Sequence, residues 1–381
     1  MKKIVYVIIS AFYKEGYGYQ ENILSKKHQE LGYDVSIITR DVDGHIGPCD
    51  YINDRGVPVH VLKRNPSVWR KVPVVRAYTK MCLGLYERLC VEKPDIIFVH
   101  GISAKEHQEV IRYKKRHPEV RLFADSHTDY YNNKSYNTIK GRFVMATGSN
   151  RRVRKLADLC EVVWGVTPWR VKFLREIYKI PASKTDLLVM GGDEKLVDWE
   201  HRSEVRERIR DKYYIPQDAF LIVTGGKIDK AKNIHLLVDA VKQIPNAYLL
   251  IFGKYEKDMA NYPNEINSDK IINVGWIPSN DSYSHFLAAD LGCFPGTHSV
   301  LWEQACASGL PCIFKDWEGG FGHVDVGGNA ILMKDVTVEN LKQIISSLME
   351  NPQKLEAMAE VAGTVARKRF SYIEIAKKAI K

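Results

Sequence analysis

The chain has 381 residues, of which 45% are hydrophobic and 27% charged. Since a single core rarely grows past roughly 250–300 residues, this length predicts two domains. The composition excludes collagen-like, low-complexity and disulfide-scaffold proteins, and no apolar run reaches the roughly 18 residues of a membrane-spanning helix. The seven cysteines show no C-x-x-C spacing, which favours free thiols in a reducing cytosol and no metal site.

The net charge of +10 is unevenly distributed along the chain. Residues 1–195 hold 34 basic and 22 acidic side chains, giving +12, whereas residues 196–381 hold 22 and 24, giving −2. The segments 63–76 and 134–155 concentrate the basic residues and mix them with apolar or aromatic ones. This mixture favours either an anionic membrane surface or a nucleic-acid groove, and charge alone leaves both open.

In the first half, short β-branched runs alternate with longer helical stretches. The predicted strands are 4–9, 35–39, 57–62, 96–100, 121–124, 162–167 and 187–190. The predicted helices are 20–31, 74–92, 105–116 and 169–178. Such alternation indicates a parallel sheet joined by right-handed crossovers.

A second series follows a polar, charged stretch at 193–216, which we interpret as a hinge. Its predicted strands are 219–224, 247–252, 270–274, 291–294 and 311–314, and its predicted helices are 233–243, 283–289 and 302–308. Two such series predict an α/β protein with two Rossmann-like domains that face each other across a cleft, the first over 1–195 and the second over 196–365.

Ligands of open parallel sheets bind beyond the carboxyl ends of the strands, which directs attention to the segments after each strand. The turn containing Gly16 and Gly18 opens the first predicted helix, where backbone N–H groups can meet an anion. His127 stands between Asp125 and Asp129 after another strand, and its imidazole can donate or accept near neutral pH.

Two segments of the second half have the same placement. Gly225, Gly226 and Lys227 follow the strand 219–224, and Lys232 comes at the next helix start, so glycine backbone and two lysines can hold a diphosphate. The turn from 295 leads into a helix with Glu303 one turn in, where a carboxylate can accept two sugar hydroxyl groups. The spacing of a P-loop is missing.

The order of these motifs resembles GT-B glycosyltransferases of the family 4 type, which are retaining, nucleotide-sugar-dependent enzymes of bacterial surface and exopolysaccharide synthesis. The resemblance spans nearly the whole chain. Its motifs are the segments 16–22 and 31–35, His127-Thr128-Asp129, Val166-Thr167, 189–193, Gly225-Gly226-Lys227 with Lys232, 274–278, Pro295 to Glu303, and 305–311. It implies a GT-B fold in which a C-terminal helix, 366–381, crosses back to the first domain.

The sequence departs from the family pattern at two points. The family usually has two glutamates separated by seven residues, and Pro295 stands where the first is expected, while Glu303 matches the second. Because the first glutamate commonly touches the transferred sugar, its loss bears on the identity of that sugar. Lys227 replaces the usual arginine, which keeps the charge and loses the bidentate fork.

The resemblance implies a hexosyltransferase that moves a sugar from a nucleotide-sugar, a UDP-sugar being favoured, with retention and without a cofactor or metal. Lys227 and Lys232 would stabilise the departing diphosphate, Glu303 would anchor the ribose, and His127 would bond the transferred sugar or a nearby acceptor group. The remaining implied donor contacts are Gly16, Gly18, Gly225, Gly226, Ile277, His298, Ser299 and Val300.

The acceptor is inferred from charge and aromatic residues alone. A saccharide or lipid-linked saccharide fits the basic first half, with Tyr19, Trp69 and Asp129 as candidate contacts. The expected location is the cytoplasm, with peripheral attachment to the inner face of an anionic membrane. Two alternatives stay open: a GT-B nucleotide-sugar 2-epimerase, which needs no acceptor, and a non-enzymatic nucleic-acid-binding protein, against which the dispersed aromatic residues argue.

Overall fold

The structure is a computed structural model that describes residues 1–10, 13–40, 42, 47–66, 80–133, 136–145, 148, 150–266, 268–318 and 320–381. The chain folds into two compact units, an N-terminal unit of residues 1–189 with 376–381 and a C-terminal unit of residues 190–375. The sequence predicts boundaries at 195 and 365, so the first junction falls somewhat earlier than expected and the second falls later.

The N-terminal unit is built on an eight-stranded sheet. Its strands are β1 Lys3–Ile8, β2 Asp34–Thr39, β3 Cys49–Ile52, β4 Pro58–Val61, β7 Ile96–His100, β8 Arg121–Ser126, β9 Val162–Gly165 and β10 Thr185–Leu187. They lie in the order β10-β9-β8-β7-β1-β2-β4-β3. Neighbouring strands are parallel except β3, which pairs antiparallel with β4. A separate antiparallel pair joins β5 Lys63–Arg64 to β6 Cys82–Leu83.

Helices cover this sheet. They are α1 Gln20–Glu30, α2 Leu85–Glu92, α3 His107–Arg116, α4 Ile139–Val144, α5 Asn150–Ala157 and α6 Pro168–Glu176. All residues of β7 are buried, as expected of a strand covered on both faces by crossover helices. Apolar side chains of α2, α3, α5 and α6 pack with the sheet in one hydrophobic cluster.

The helix expected over 74–92 is shorter than predicted. Cys82–Leu83 is a strand, and helix α2 begins only at Leu85, because Gly84 takes the left-handed conformation with φ of 90°. Residues 74–79 of that prediction lie outside the described residues. The strand expected over 187–190 also ends earlier, at Leu187.

The C-terminal unit contains a six-stranded parallel sheet. Its strands are β11 Phe220–Ile228, β12 Ala247–Tyr255, β13 Ile271–Gly275, β14 Leu291–Phe294, β15 Cys312–Lys315 and β16 Ala330–Met333. They lie in the order β13-β12-β11-β14-β15-β16. The helices are α7 Arg202–Lys212, α8 Ile234–Lys242, α9 Tyr262–Glu265, α10 Ser282–Ala288, α11 Leu301–Ala307, α12 Val338–Glu350, α13 Pro352–Val361 and α14 Arg367–Arg369, and α15 Tyr372–Ala379 runs from this unit into the N-terminal one.

The expected glycine loop at 225–227 is wrong, because these residues continue strand β11. They pair in register with residues 252–254 of β12. The two backbones approach so closely that a Cβ at Gly253 would lie 1.9 Å from the carbonyl oxygen of Gly226. A tight strand pair, rather than an anion-binding turn, therefore explains this glycine pattern.

The expected hinge at 193–216 is also mostly ordered structure, since it contains helix α7. Arg210 on this helix is fully buried and pairs with Asp290 at 2.8 Å. Its guanidinium also donates to the backbone carbonyls of Ala219 and Ala288. These bonds hold α7 against the rest of the C-terminal unit.

No helix among the described residues of the chain is long and apolar enough to cross a membrane.

Candidate functional site

Two turns of the C-terminal unit are bonded together beyond the ends of strands β11 and β14. The short 3₁₀ turn Lys230–Lys232 follows β11, and the turn 295–300 follows β14. Thr297 N donates to the carbonyl of Ala231 at 3.1 Å. A Cβ at Gly296 would lie 2.3 Å from the Cα of Lys232, so only glycine permits this approach. The turns thereby form one backbone platform.

Glu303 lies fully buried in the first turn of helix α11, which begins after this platform. Its Oε1 accepts hydrogen bonds from two imidazoles, from His298 Nε2 at 2.9 Å and from His323 Nε2 at 3.0 Å. Burial raises the pKa of Glu303, but the two histidines outweigh it and lower the pKa to about 2. The carboxylate is therefore ionised at neutral pH.

The second oxygen of this carboxylate is available for a ligand. Glu303 Oε2 is buried and has no hydrogen-bond partner among the described residues. Ser299 Oγ, on the neighbouring turn, is buried and unpartnered in the same way. Because buried polar atoms of native proteins are nearly always bonded, two such atoms close in sequence indicate a place where hydroxyl groups of a ligand can bind.

The two lysines differ in environment. Lys232 is half-buried, and its Nζ donates to the carbonyl of Thr297 at 2.5 Å. Burial lowers the pKa of Lys232 to about 8. The charge of Lys227 adds to this lowering, whereas the charge of Asp229 opposes it. Lys227 is exposed and lies 3.8 Å from the carboxylate of Glu256. Lys232 is thus a poorly solvated cation that an anion would stabilise, whereas the charge of Lys227 is already shared with solvent.

The other expected donor residues of this unit are spread over several elements. His298 belongs to the Glu303 cluster, and its ring stacks on Phe321 with centroids 4.3 Å apart. Val300 precedes helix α11, while Gly225 and Gly226 lie within strand β11. Ile277 is half-buried and follows strand β13. Among these expected donor residues, only His298, Ser299 and Val300 lie in the turn 295–300, which is hydrogen-bonded to the turn of Lys232 and precedes the helix of Glu303.

A second buried carboxylate, Asp125, lies at the end of strand β8 in the N-terminal unit. Its Oδ2 accepts from His100 Nδ1 at 2.9 Å and lies 3.7 Å from His127 Nε2, while Oδ1 accepts from Gly101 N at 2.9 Å. The other ring nitrogen of His100, Nε2, lies 3.6 Å from Oε2 of Glu21. Both oxygens of Asp125 are therefore occupied.

The pKa values of His100 and His127 are shifted in opposite directions. Burial lowers the pKa of His100, but Asp125 and Glu21 outweigh it and raise the pKa to about 9. Burial also lowers the pKa of His127, and the attraction of Asp125 does not compensate for it. At neutral pH His100 is an imidazolium that neutralises Asp125. His127 is a neutral, partly exposed imidazole that can bond a ligand through its ring nitrogens.

His100, Asp125 and His127 are also the described residues with metal-ligand spacing, since one ligand atom of each lies within 4.8 Å of the others. A metal would require His100 to lose its proton, against the two carboxylates that stabilise the charged ring. The ion pair accounts for the arrangement without a metal. The expectation of a metal-independent protein stays a prediction.

The expected acceptor contacts have mixed surroundings. Tyr19 is 41% exposed, and its ring stacks parallel to Tyr17 with centroids 5.0 Å apart, which is a surface suited to a sugar ring. Asp129 is buried and already accepts from Arg170 Nε and from backbone N–H groups of its own turn. Trp69 lies outside the described residues. Among the glycines expected beside Tyr19, Gly16 has φ of +73° and donates to Asp54, and Gly18 precedes Tyr19 in the same turn.

Sequence reasoning missed the role of His323. It follows β15, so inspecting the residues beyond every strand end would have drawn attention to it. Its bond to Glu303 across twenty positions could not be read from spacing.

The two parallel-sheet units, with their candidate residues beyond the carboxyl ends of strands, are those of the GT-B fold. The family model described as glycosyl transferases group 1 matches residues 205–364 of the chain. This match covers most of the C-terminal unit, including Lys232, Glu303 and His323.

The curated relatives are named as glycosyltransferases. The chain is 26% identical over 230 residues to a Bacillus subtilis (strain 168) protein named as a glycosyltransferase, YtcC, covering 56% of this chain and 54% of that protein. It is 25% identical over 162 residues to the lipopolysaccharide core biosynthesis glycosyltransferase LpsD of Rhizobium meliloti (strain 1021), covering 41% and 47%. The chain therefore spans about half the length of these curated relatives.

Solved structures show the same fold over the whole chain. Anabaena Alr3699/HepE in complex with UDP superposes with a TM-score of 0.67 at 15% identity, covering 99% of this chain and 98% of that one. The UDP-GlcNAc 2-epimerase of Neisseria meningitidis superposes with a TM-score of 0.60 at 11% identity, covering 99% and 98%.

Proposed function

We propose that this protein is a glycosyltransferase that moves a sugar from a nucleotide-sugar, a UDP-sugar being favoured, to a saccharide or lipid-linked acceptor of cell-surface glycan biosynthesis. The observation that carries the proposal is the unpartnered, ionised Oε2 of Glu303 beside the lysine-bearing turn. The match of residues 205–364 to the glycosyl transferases group 1 model supports it, as do the lipopolysaccharide biosynthesis name of LpsD and the UDP bound to HepE.

In this proposal the C-terminal unit binds the donor. Glu303 Oε2 accepts a ribose hydroxyl, while His298 and His323 hold the carboxylate through its other oxygen. Lys232 and Lys227 stabilise the negative charge that grows on the diphosphate as it leaves, so preorganised charge supplies the main rate acceleration. His127 bonds the transferred sugar, and the stacked Tyr17 and Tyr19 contact the acceptor saccharide.

Three finer parts of the proposal come from the family resemblance and the amino-acid composition. The anomeric configuration is retained, no metal takes part, and basic residues of 63–76 attach the protein to the inner face of an anionic membrane. That segment lies mostly outside the described residues, so its attachment has to be tested by vesicle co-sedimentation.

The test compares Lys232→Ala with Lys230→Ala. Lys230 is exposed and two residues away on the same 3₁₀ turn, so its loss is a matched control for charge and position. A charge-assisted bond to the leaving group is worth about 1.5–3 kcal/mol, so Lys232→Ala should slow release of UDP from a UDP-sugar about 10- to 100-fold. Lys230→Ala should release UDP at the rate of the parent.

A panel of nucleoside diphosphates identifies the donor base beforehand, because a ligand at 100 times its Kd raises the stability by about 2.7 kcal/mol. If no nucleoside diphosphate stabilises the parent, or if the two lysine variants are equally active, the donor site is wrong. Isomerisation of the sugar without any acceptor would identify a 2-epimerase instead.

A further inference from the structure

The N-terminal unit contains a cavity of about 570 Å³ between helices α3 and α5. Four cationic side chains line it: Lys115, Arg151, Arg152 and Lys155. None of the described lining residues is acidic. The volume lies within the roughly 300–1,000 Å³ of small-ligand sites. The cavity shares no lining residue with the Asp125 or Glu303 clusters, so it is a separate feature.

One wall of the cavity carries a buried imidazole without a partner. His107 is only 3% exposed, and neither of its ring nitrogens makes a well-aligned hydrogen bond with the described residues, although the Ile102 backbone lies near the ring. Burial lowers the pKa of His107 to about 4, although a weakly aligned hydrogen bond with the Ile102 backbone and the charge of Glu106 raise it. The ring is therefore neutral at pH 7 and presents one N–H donor. A buried polar ring without a well-aligned partner destabilises the fold, and a bound ligand would recover that loss.

The cations around the cavity repel one another. The pKa of Lys105, next to the cavity, is lowered by burial and then by the charge of Arg152, despite the opposing charge of Glu106. Arg152 Nε is buried and unpartnered. Because the described lining of the cavity contains no acidic residue, its like charges repel one another, and a bound anion would relieve that repulsion.

We propose that this cavity binds a phosphate or diphosphate group. Two guanidinium groups can bond phosphate oxygens in pairs, two lysines add mobile point charges, and the buried His107 ring lines the same cavity. Ile102, Ala104 and Ile111 form an apolar part of the wall that can contact whatever carries the phosphate. The same chemistry would suit free inorganic phosphates and the phosphate of a lipid headgroup.

The first arm of the test titrates pyrophosphate into the full chain by calorimetry. The cavity variant combines Arg152→Gln and Lys155→Gln. The control combines Lys114→Gln and Arg154→Gln, which removes one charge from each of the helices α3 and α5 at residues that do not line the cavity. The parent and the control should bind pyrophosphate equally, and the cavity variant should bind it at least about tenfold more weakly, the effect of a single lost charge-assisted bond.

Hydrogen exchange locates the bound pyrophosphate, since the C-terminal unit is itself expected to bind diphosphates. Slower amide exchange in 105–116 and 150–157 is the expected result.

The second arm uses phosphatidylcholine vesicles with and without phosphatidic acid. Loss of either pyrophosphate or phosphatidic acid binding in the cavity variant alone supports the site and identifies the source of the phosphate. Equal binding by the cavity and control variants in both arms would overturn the proposal.

Discussion

Each unit of the molecule contains a buried carboxylate beside two histidines, but the two carboxylates differ in which of their oxygens already accept hydrogen bonds. In the N-terminal unit Asp125 accepts from His100 on one oxygen and from Gly101 N on the other. In the C-terminal unit both histidines donate to Oε1 of Glu303, and Oε2 is unpartnered among the described residues. The same residue types therefore make a closed ion pair in one place and an open acceptor in the other.

The electrostatic surroundings of the two carboxylates also differ. Asp125 faces an imidazolium, because the pKa of His100 is raised to about 9. Glu303 is held ionised by two hydrogen bonds and lies in the helix that follows the turn 295–300. We infer that the Asp125 cluster positions His127 and stabilises its unit, whereas the Glu303 cluster binds substrate.

The largest expected effect is on stability. Asp125→Asn would leave the buried His100 charge without its main counter-ion, and breaking a buried pair costs about 3–5 kcal/mol. Glu303→Gln keeps an oxygen for the histidines and should cost much less. The measurement is the thermal unfolding midpoint of each variant, together with hydrogen exchange of β7 for Asp125→Asn and of β14 for Glu303→Gln, because a two-unit protein need not unfold in one step. If Glu303→Gln unfolds earlier than Asp125→Asn, the two clusters do not differ as described.

The second prediction concerns pH and sharpens the role of His100. Its folded pKa of about 9 lies above the usual value of 6.5, so its stabilising contribution is fully present below pH 6.5 and is lost as pH rises through 9. The difference in unfolding free energy between the parent and His100→Gln should therefore shrink between pH 6.5 and pH 9. The effect is smaller than that of Asp125→Asn, because the neutral ring can still donate to Asp125. A difference that stays constant over this range would mean that His100 is neutral in the folded protein.

Most of the framework could be predicted from the sequence, because buried parallel strands and crossover helices have clear hydropathy patterns. Both carboxylate neighbourhoods were located by the rule that ligands bind beyond strand ends. The errors came from interactions that no local pattern contains. The glycine pattern at Gly225 and Gly226 predicts a loop, whereas in the structure these residues lie in strand β11 and allow it to approach β12 closely at Gly253. The pairing of His323 with Glu303, and the partners that occupy Asp129, depend on tertiary contacts.

The central claim is that Glu303 Oε2 binds a ribose hydroxyl. A thermodynamic cycle that combines a protein variant with a ligand lacking the ribose hydroxyls tests this claim most directly. The affinities of UDP and of 2′,3′-dideoxy-UDP are measured for the parent, for Glu303→Gln and for Glu339→Gln, a control glutamate that also lies in the first turn of a helix. A hydrogen bond to a charged group is worth about 1.5–3 kcal/mol, so the parent and the control should prefer UDP about 10- to 100-fold, and Glu303→Gln should lose most of that preference. The same preference in Glu303→Gln as in the parent, or no preference in the parent, would contradict the account.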